Sequence, residues 1–394
     1  MTNKRKLALV AAVGLLIGAN LNAQESISLS MRRTVVSPEI GKDAITFRLN
    51  APQAQTVNIA ASWLGHDPSK GAMSKDESGI WSITLPLPSP ELYTYTFIVD
   101  GVSTLDPSNV FVSRDGSRYT NGLLISGGVA DEYKESDKPG NVEHAWYYSA
   151  ENDMTRRLYV YTPYGYDKKD TSKKYPVLYL LHGGGGDEDA WSTLGRTCQI
   201  LDNLIAAGKA EPMLVVMPNG NPSQYAAQTL LIPEKTIKTK YNSGFDNYTS
   251  LVSDIIPFIE KNYNVIADRE HRSVAGLSMG GGQSFYVAFR NVDLFSSVGI
   301  FSSGLIGSSA IGGTPFNAEE QIPGMLSMPA AFNRFDVIYL SCGEQDGRID
   351  GMKEFNDTLK SKGYKGVVWE TFEGGHEWKV WRRSLSSYAQ KIFK

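Results

Sequence analysis

The chain has 394 residues, of which 41% are hydrophobic and 21% charged, and a formal net charge of −3. That length points to two domains rather than one, and the apolar content is enough for packed cores, which excludes a disordered chain. Mild acidity without basic runs makes nucleic acid and anionic membrane surfaces poor partners.

Residues 1–23 read as a secretory signal: Lys4-Arg5-Lys6 is the basic head, Leu7 to Ala19 the apolar middle and Leu21-Asn22-Ala23 the small-residue cleavage site before Gln24. The apolar run of 13 residues falls short of the roughly 20 a bilayer span needs. No cysteine follows to carry a lipid, so the expectation is a protein without membrane insertion, secreted or periplasmic. Loss of the signal removes three positive charges and no negative ones, taking the net charge from −3 to −6. The two cysteines, Cys198 and Cys342, are no disulfide framework, and whether they pair is left open. No Cys/His cluster suggests a metal, and no cofactor is expected.

Residues 24–126 carry short alternating strands with turn residues between them: Ala44–Leu49, Thr56–Ala60, Trp81–Leu85 and Tyr93–Val99, the last meeting an Asp100-Gly101 turn. This is the pattern of an all-β immunoglobulin-like sandwich. Its Trp63, Trp81, Tyr93 and Tyr95 either stack on sugar rings or fill the core, and core filling is the simpler reading for Trp81. Residues 127–141, polar and flanked by glycine, read as a linker. In residues 142–394 apolar strands, such as Pro176–Leu181, Met213–Met217 and Val337–Cys342, alternate with helical patterns at Cys198–Ala207 and Tyr248–Asn262. That alternation predicts an α/β domain with a mostly parallel sheet covered by helices on both faces.

Chemistry concentrates in this second part. Ser273–Gly282 reads as an apolar strand running into a G-x-S-x-G turn and then a helix, the arrangement that lifts a serine hydroxyl clear of a sheet. Ser278 then needs a base, and the base needs an orienting group. Of the five histidines, His66 and His144 lie in or just beyond the first domain. His271 lies at the wrong end of the nucleophile strand, and His182 belongs to a glycine loop. His376, in a glycine-rich loop after the last strand, is the candidate base. Asp346, in the loop after Val337–Cys342, is the candidate acid, with Glu344 and Asp350 as alternatives. The chain order Ser, Asp, His is that of α/β-hydrolases. For the oxyanion, the N–H of Met279 at the helix start and one from His182-Gly183-Gly184-Gly185-Gly186 are candidate donors. Gly184 is preferred, with Gly183 and Gly185 kept open.

The motifs Tyr179–Gly185, Met217–Gly220, Ala275–Gly281, Gly343–Asp346 and Gly375–Trp378, in this order, resemble carbohydrate esterase family 1, which holds feruloyl and acetyl xylan esterases. The N-terminal part resembles the glycogen-branching-type, carbohydrate-binding-module-48-like sandwich found ahead of such esterases. The resemblance covers about residues 142–394 and implies an α/β-hydrolase fold with Ser278 as nucleophile, His376 as base, Asp346 as its partner, and Gly184 and Met279 as oxyanion donors. Trp191, Asn219 and Trp378 are candidate substrate contacts. The expected reaction is removal of feruloyl groups from plant cell-wall polysaccharide. Acetyl xylan hydrolysis is the first alternative, with siderophore-ester hydrolysis and non-catalytic glycan binding behind it.

Overall fold

The computed structural model describes residues 35–65, 67–221, 248–303 and 316–394. The expected signal segment 1–23 and His66 lie outside the described residues. Two compact units emerge. The first comprises the chain up to Ile59, Asp67–Leu87 and Phe97–Val110, and the second Ala60–His66, Pro88–Thr96 and Phe111–Lys394.

The N-terminal strands are β1 (Glu39–Ile40), β2 (Ala44–Asn50), β3 (Val57–Ala61), β4 (Ser74–Lys75), β5 (Ile80–Pro86), β6 (Glu91–Val99), β7 (Val102–Thr104), β8 (Val112–Asp115) and β9 (Arg118–Ile125). One sheet has the order β1-β2-β5-β4 and another β3-β6-β9-β8, with β7 paired to β6. In β2, Ile45, Phe47 and Leu49 are buried while their neighbours are not, which is the period of two that a half-buried strand requires. Asp100 and Gly101 both take positive φ (47° and 86°) between the paired Val99 and Val102, the left-handed pair that a two-residue hairpin needs. Trp81 is buried, its indole donating to the Ala51 carbonyl at 3.0 Å, so it fills the core.

The stretch 127–141, read from sequence as a linker, contains a 3-10 turn at Gly128–Tyr133. Ala130 and Tyr133 are buried there in an apolar cluster with Tyr161, Leu204 and Leu385. Two apolar side chains a short turn apart anchor a segment whose composition is otherwise polar.

The second unit is built on an eight-stranded sheet. Its strands are β10 (Asn141–Ser149), β11 (Met154–Thr162), β12 (Val177–Leu181), β13 (Leu214–Pro218), β14 (Arg272–Leu277), β15 (Ser297–Phe301), β16 (Val337–Gly343) and β17 (Val367–Phe372). Their order is β10-β11-β13-β12-β14-β15-β16-β17. β10 and β11 pair antiparallel and β11 meets β13 antiparallel; every later pairing is parallel. The longer helices are α1 (Thr197–Ala206), α2 (Ile256–Asn262), α3 (Met279–Arg290), α4 (Ile349–Ser361) and α5 (Trp378–Ala389). The central strands are buried at every position, and β12 and β13 carry only apolar or aromatic residues, because both faces are covered. Tyr179, Leu181, Val216 and Leu340 enter one core cluster, with residues of α2, α3 and α4. Their strand neighbours Leu178, Leu180, Val215 and Tyr339 enter the other, with α1 and α5.

Two local details depart from a simple pattern reading. The segment Tyr248–Asn262 is not one α-helix: Leu251–Ile255 is a wide π turn in which the Ile256 N–H reaches the Leu251 carbonyl. Pro257, inside the first turn of α2, has no N–H to offer the ladder. Cys198 and Cys342 are both free. They sit on opposite faces of the sheet, Cys342 in the cluster under α3 and Cys198 against the one under α1 and α5, so the open question of a bridge resolves as unbonded.

One tight contact sets the turn after β14. A Cβ added at Gly276 would lie 2.5 Å from the backbone C and O of Gly280. Gly276→Ala is therefore expected to lower stability by about 1–3 kcal/mol, read as an earlier urea midpoint; a midpoint equal to the parent's would contradict the contact.

Candidate active site

Each loop that carries a candidate residue leaves the C-terminal end of a parallel strand, where open α/β sheets collect their sites. Ser278 follows β14 and opens α3 with φ 52° and ψ −111°. For a serine this backbone is strained, at a cost of order 1–3 kcal/mol. The strain is held in place by the Ser278 N–H donating to Phe301 O at 2.8 Å and by Ser278 O accepting from Gly282 N–H at 3.2 Å. The neighbouring glycines serve close approach rather than unusual torsion. A Cβ at Gly280 would lie 2.5 Å from the carbonyl oxygens of both Leu181 and His182, which lie at the end of β12.

Three distant side chains then converge. His376 Nε2 lies 3.0 Å from Ser278 Oγ, and His376 Nδ1 lies 2.7 Å from Asp346 Oδ2. His376 comes from the loop between β17 and α5, and the Trp381 ring stands nearly perpendicular to it, centroids 4.9 Å apart at 85°. Asp346 is buried, and its other oxygen accepts from the Arg348 backbone N–H and guanidinium, both at 3.1 Å. Burial pushes its carboxyl up, but hydrogen bonds from His376 and Arg348 outweigh that and hold it below its ordinary 3.8. Glu344 and Asp350, the alternative acids, are exposed, Asp350 in the first turn of α4. His271 bonds Asp268 at the opposite end of β14, and His144 stacks on Tyr159.

On the other side of Ser278 lies the glycine loop. Gly183 is the glycine against the nucleophile: a Cβ there would sit 2.5 Å from Leu277 Cδ1 and 3.4 Å from Ser278 Cβ. Gly184 faces open space, and Gly185 turns with φ 80°. Met279 begins α3, so its N–H is among those without an intrahelical partner. His182 braces the loop. Its Nδ1 lies 2.8 Å from Gly183 O, and its Nε2 accepts from the Gly220 N–H at 2.9 Å, which puts the ring proton on Nδ1. Gly220 O in turn accepts from the Gln283 amide at 2.8 Å, tying this loop to α3.

Two sequence candidates for substrate contact are spent elsewhere. Asn219 is buried; its amide donates to Glu188 Oε2 at 3.1 Å and its Oδ1 accepts from Asn221 N–H at 2.9 Å. Glu188 also pairs with buried Arg157 at 2.9 Å, so Asn219 completes a buried charge network. Trp191 is 1% exposed and donates to Leu181 O at 2.9 Å, bracing the end of β12. Trp378 stands edge-on to Trp191 at 5.2 Å and to Trp381 at 5.2 Å and lines a cleft with His376.

The structure adds residues that pattern reading missed. The β8–β9 hairpin tip packs on the glycine loop. A Cβ at Gly116 (φ 60°) would lie 1.9 Å from Gly185 O, and one at Gly186 would lie 2.6 Å from Asp115 Oδ1. Burial pushes the Asp115 carboxyl up, against neighbouring positive charge and a hydrogen bond from the Trp378 indole. Arg114 forms a bidentate ion pair with buried Asp187 and a 3.3 Å pair with Asp189, clamping the far end of the same loop. No signal in the sequence marked these contacts. Among the described residues no group of acidic, histidine or cysteine side chains could hold a metal, and no helix is long and apolar enough to cross a membrane.

Fold and site together define an α/β-hydrolase with an N-terminal immunoglobulin-like domain. Residues 149–392 match the family described as "Putative esterase", and residues 34–112 match carbohydrate-binding module 48, the isoamylase N-terminal domain. The chain belongs to this esterase family. It is 31% identical over 357 residues to an endo-1,4-beta-xylanase/feruloyl esterase of Xylanibacter ruminicola, covering 88% of this chain and 44% of that protein; the chain thus spans less than half of that relative. An acetyl esterase of Caldicellulosiruptor saccharolyticus is 26% identical, over 56% of this chain and 85% of its own length. Among solved structures, a CE1 ferulic acid esterase from Anaeromyces mucronatus, in complex with ferulic acid, is similar at 26% identity and TM-score 0.54, covering 69% of this chain and 98% of that one. An enterobactin esterase from Shigella flexneri matches at 15% identity and TM-score 0.63 over 93% of this chain and 98% of its own, which shows the shared fold alone.

Two measurements check this geometry. Because the folded-state value of Asp346 is depressed, its contribution to stability is present above its ordinary 3.8 and is lost as pH falls through the lower folded value. The stability gap between the parent and Asp346→Asn should therefore be widest near neutral pH and shrink below pH 3.8 in urea titrations; a gap that grows on acidification would contradict the pairing. Gly116→Ala should push the hairpin off the glycine loop, costing about 1–3 kcal/mol and lowering ester turnover with it. An unaffected variant would separate the hairpin from the site.

Proposed function

We propose that this protein is a serine carboxylic-ester hydrolase that removes feruloyl groups from plant cell-wall polysaccharide such as arabinoxylan, through an acyl-enzyme. The hydrogen-bonded chain Ser278–His376–Asp346 carries the reading. A serine hydroxyl attacks an ester only when a positioned base takes its proton. Ser278 Oγ bonds to the ester carbonyl carbon as its proton passes to His376 Nε2. Asp346, kept ionised, holds the imidazole by Nδ1–H and stabilises the imidazolium. The carbonyl oxygen, now negative, meets N–H groups at Met279 and in the Gly183–Gly185 loop, each such donor being worth about 2.7–4 kcal/mol of barrier. The C–O bond to the alcohol then breaks, and the alcohol oxygen takes the proton from His376. Water, losing a proton to the same nitrogen, attacks the acyl carbon; the bond to Ser278 Oγ then breaks, Oγ takes the proton back from His376, and the acid is freed.

The feruloyl assignment draws support from relatives described as a xylanase/feruloyl esterase and as a ferulic acid esterase. The acetyl esterase match favours acetyl xylan as the second reading. The signal-like residues 1–23 support export to where such polysaccharide is met. The test is release of ferulate from methyl ferulate and feruloylated arabinoxylan beside release of acetate from acetylated xylan. Ferulate release that falls roughly 10⁴-fold or more in Ser278→Ala is expected. Brisk acetate release without ferulate turnover would transfer the assignment to acetyl xylan, and inertness toward all three would overturn it.

A further inference from the structure

β10 closes one edge of the eight-stranded sheet. Its residues Ala145 and Tyr147 enter the core cluster shared with α2, α3 and α4. The alternate residues Val142, His144, Trp146 and Tyr148 face the other side and are exposed, Trp146 at 52% and Tyr148 at 61%. A solvated strand face is ordinarily polar, and a sheet edge is ordinarily blunted with charge. Here it carries one aliphatic side chain and three rings in a row, and a contiguous exposed apolar patch marks a binding surface.

The rings rest on a fixed bed. His144 lies opposite Tyr159 in the register, Trp146 opposite Arg157 and Tyr148 opposite Thr155. The His144 and Tyr159 rings stack at 3.8 Å and 6°. The Arg157 guanidinium lies over the rings of Trp146 at 5.8 Å and Tyr159 at 5.1 Å, and Glu188 pins it at 2.9 Å. With a cation against one face, Trp146 keeps its other face for a ligand. The Tyr148 hydroxyl donates to Asp153, which fixes that ring too. Along the strand the Trp146 and Tyr148 positions are about 7 Å apart.

The row also points toward the catalytic end of the sheet. Pro218 ends β13 opposite Leu158, and Leu158 lies opposite Ala145. Trp146 and Tyr148 therefore reach past β13 on the side where the catalytic loops leave the sheet. Four strand steps separate β10 from β14, about 19 Å at the usual strand spacing, and His376 follows β17 on the far side of β14.

We propose that this row is a second polysaccharide-binding surface, with Trp146 and Tyr148 as stacking platforms for a linear plant cell-wall glycan held away from the scissile ester; this rests on the polysaccharide-ester reading above. Area decides against a protein partner. Trp146 and Tyr148 together expose on the order of 250 Å², whereas a stable protein interface covers about 800 Å² a side. A flat ring suits the C–H face of a sugar, and exposed Thr155 and Asp153 beside the rings offer partners to its hydroxyl groups. An extended chain can use both rings at once, while a small phenolic ester at Ser278 reaches neither. Holding the chain here raises the effective concentration of its esters at the active site.

Two assays on the full chain test this. In the first, Ser278→Ala protein is partitioned onto insoluble arabinoxylan, alone and with Trp146→Ala or Tyr148→Ala added. Each added substitution should weaken retention about 5-fold, and Trp146→Phe should recover most of it. In the second, the ratio of kcat/KM for soluble feruloylated arabinoxylan to that for methyl ferulate should fall by a similar factor in Trp146→Ala. Retention indifferent to both rings, in variants shown folded by circular dichroism, overturns the surface. So does an equal loss on both esters, because Trp146 would then act on the chemistry itself. A dimer in sedimentation velocity that Trp146→Ala dissociates, without retention on arabinoxylan, gives the face to a second copy and also overturns it. Should the parent hydrolyse neither ester while Trp146-dependent retention persists, the hydrolase reading fails and the glycan surface stands.

Discussion

Two backbones meet where no side chain can come between them. The turn at Gly280 presses on the carbonyl oxygens that end β12, and Gly276 presses on Gly280 itself. This double approach forces the chain from β14 into α3 within one residue and leaves Ser278 in its strained torsion. It also sets the nucleophile beside the glycine loop, since the same two carbonyls lead into His182 and Gly183. Nucleophile, first helical N–H groups and glycine loop are therefore placed by one contact.

The rest of the second unit keeps that contact from relaxing. His182 holds Gly183 with one ring nitrogen and Gly220 with the other, while Gln283 ties Gly220 back to α3. Beneath them Arg157, Glu188 and Asn219 form a buried polar group joined through the Glu188 carboxylate. Such groups are costly when half satisfied and rigid when complete. The loops around Ser278 are thus cross-linked to the sheet by polar bonds where glycine would otherwise leave them free.

Residues that precede the esterase match complete this picture. The Arg114–Gly116 hairpin tip leans on the glycine loop from outside, and Glu91 is locked to Arg382 beneath the cleft. The surroundings of Ser278 and His376 accordingly draw on stretches of chain that lie ahead of the esterase match.

The order Ser278, Asp346, His376, the glycine loop after an apolar strand and the alternation of strands with helices were legible in the sequence. They are local signals: a two-sided strand is rich in apolar residues, and a sharp strand-to-helix turn uses glycine. The choice of Asp346 over Glu344 and Asp350 was legible only as a preference, because three carboxylates lie close together in sequence between β16 and the first turn of α4, and torsions not encoded in their spacing decide which is buried against the imidazole. Trp191 and Asn219 read as substrate contacts by their proximity to the motifs, yet the fold turns both inward, to Leu181 O and Glu188. Nothing in the chain announced that Gly116 would meet Gly185 or that Trp63 would share a cleft with His376, partners 69 and 313 positions apart. Periodicity and turn chemistry act over a few residues and so determine elements and motifs. Which faces of those elements meet depends on how the whole sheet, its helices and the N-terminal strands pack, and that only the tertiary structure decided.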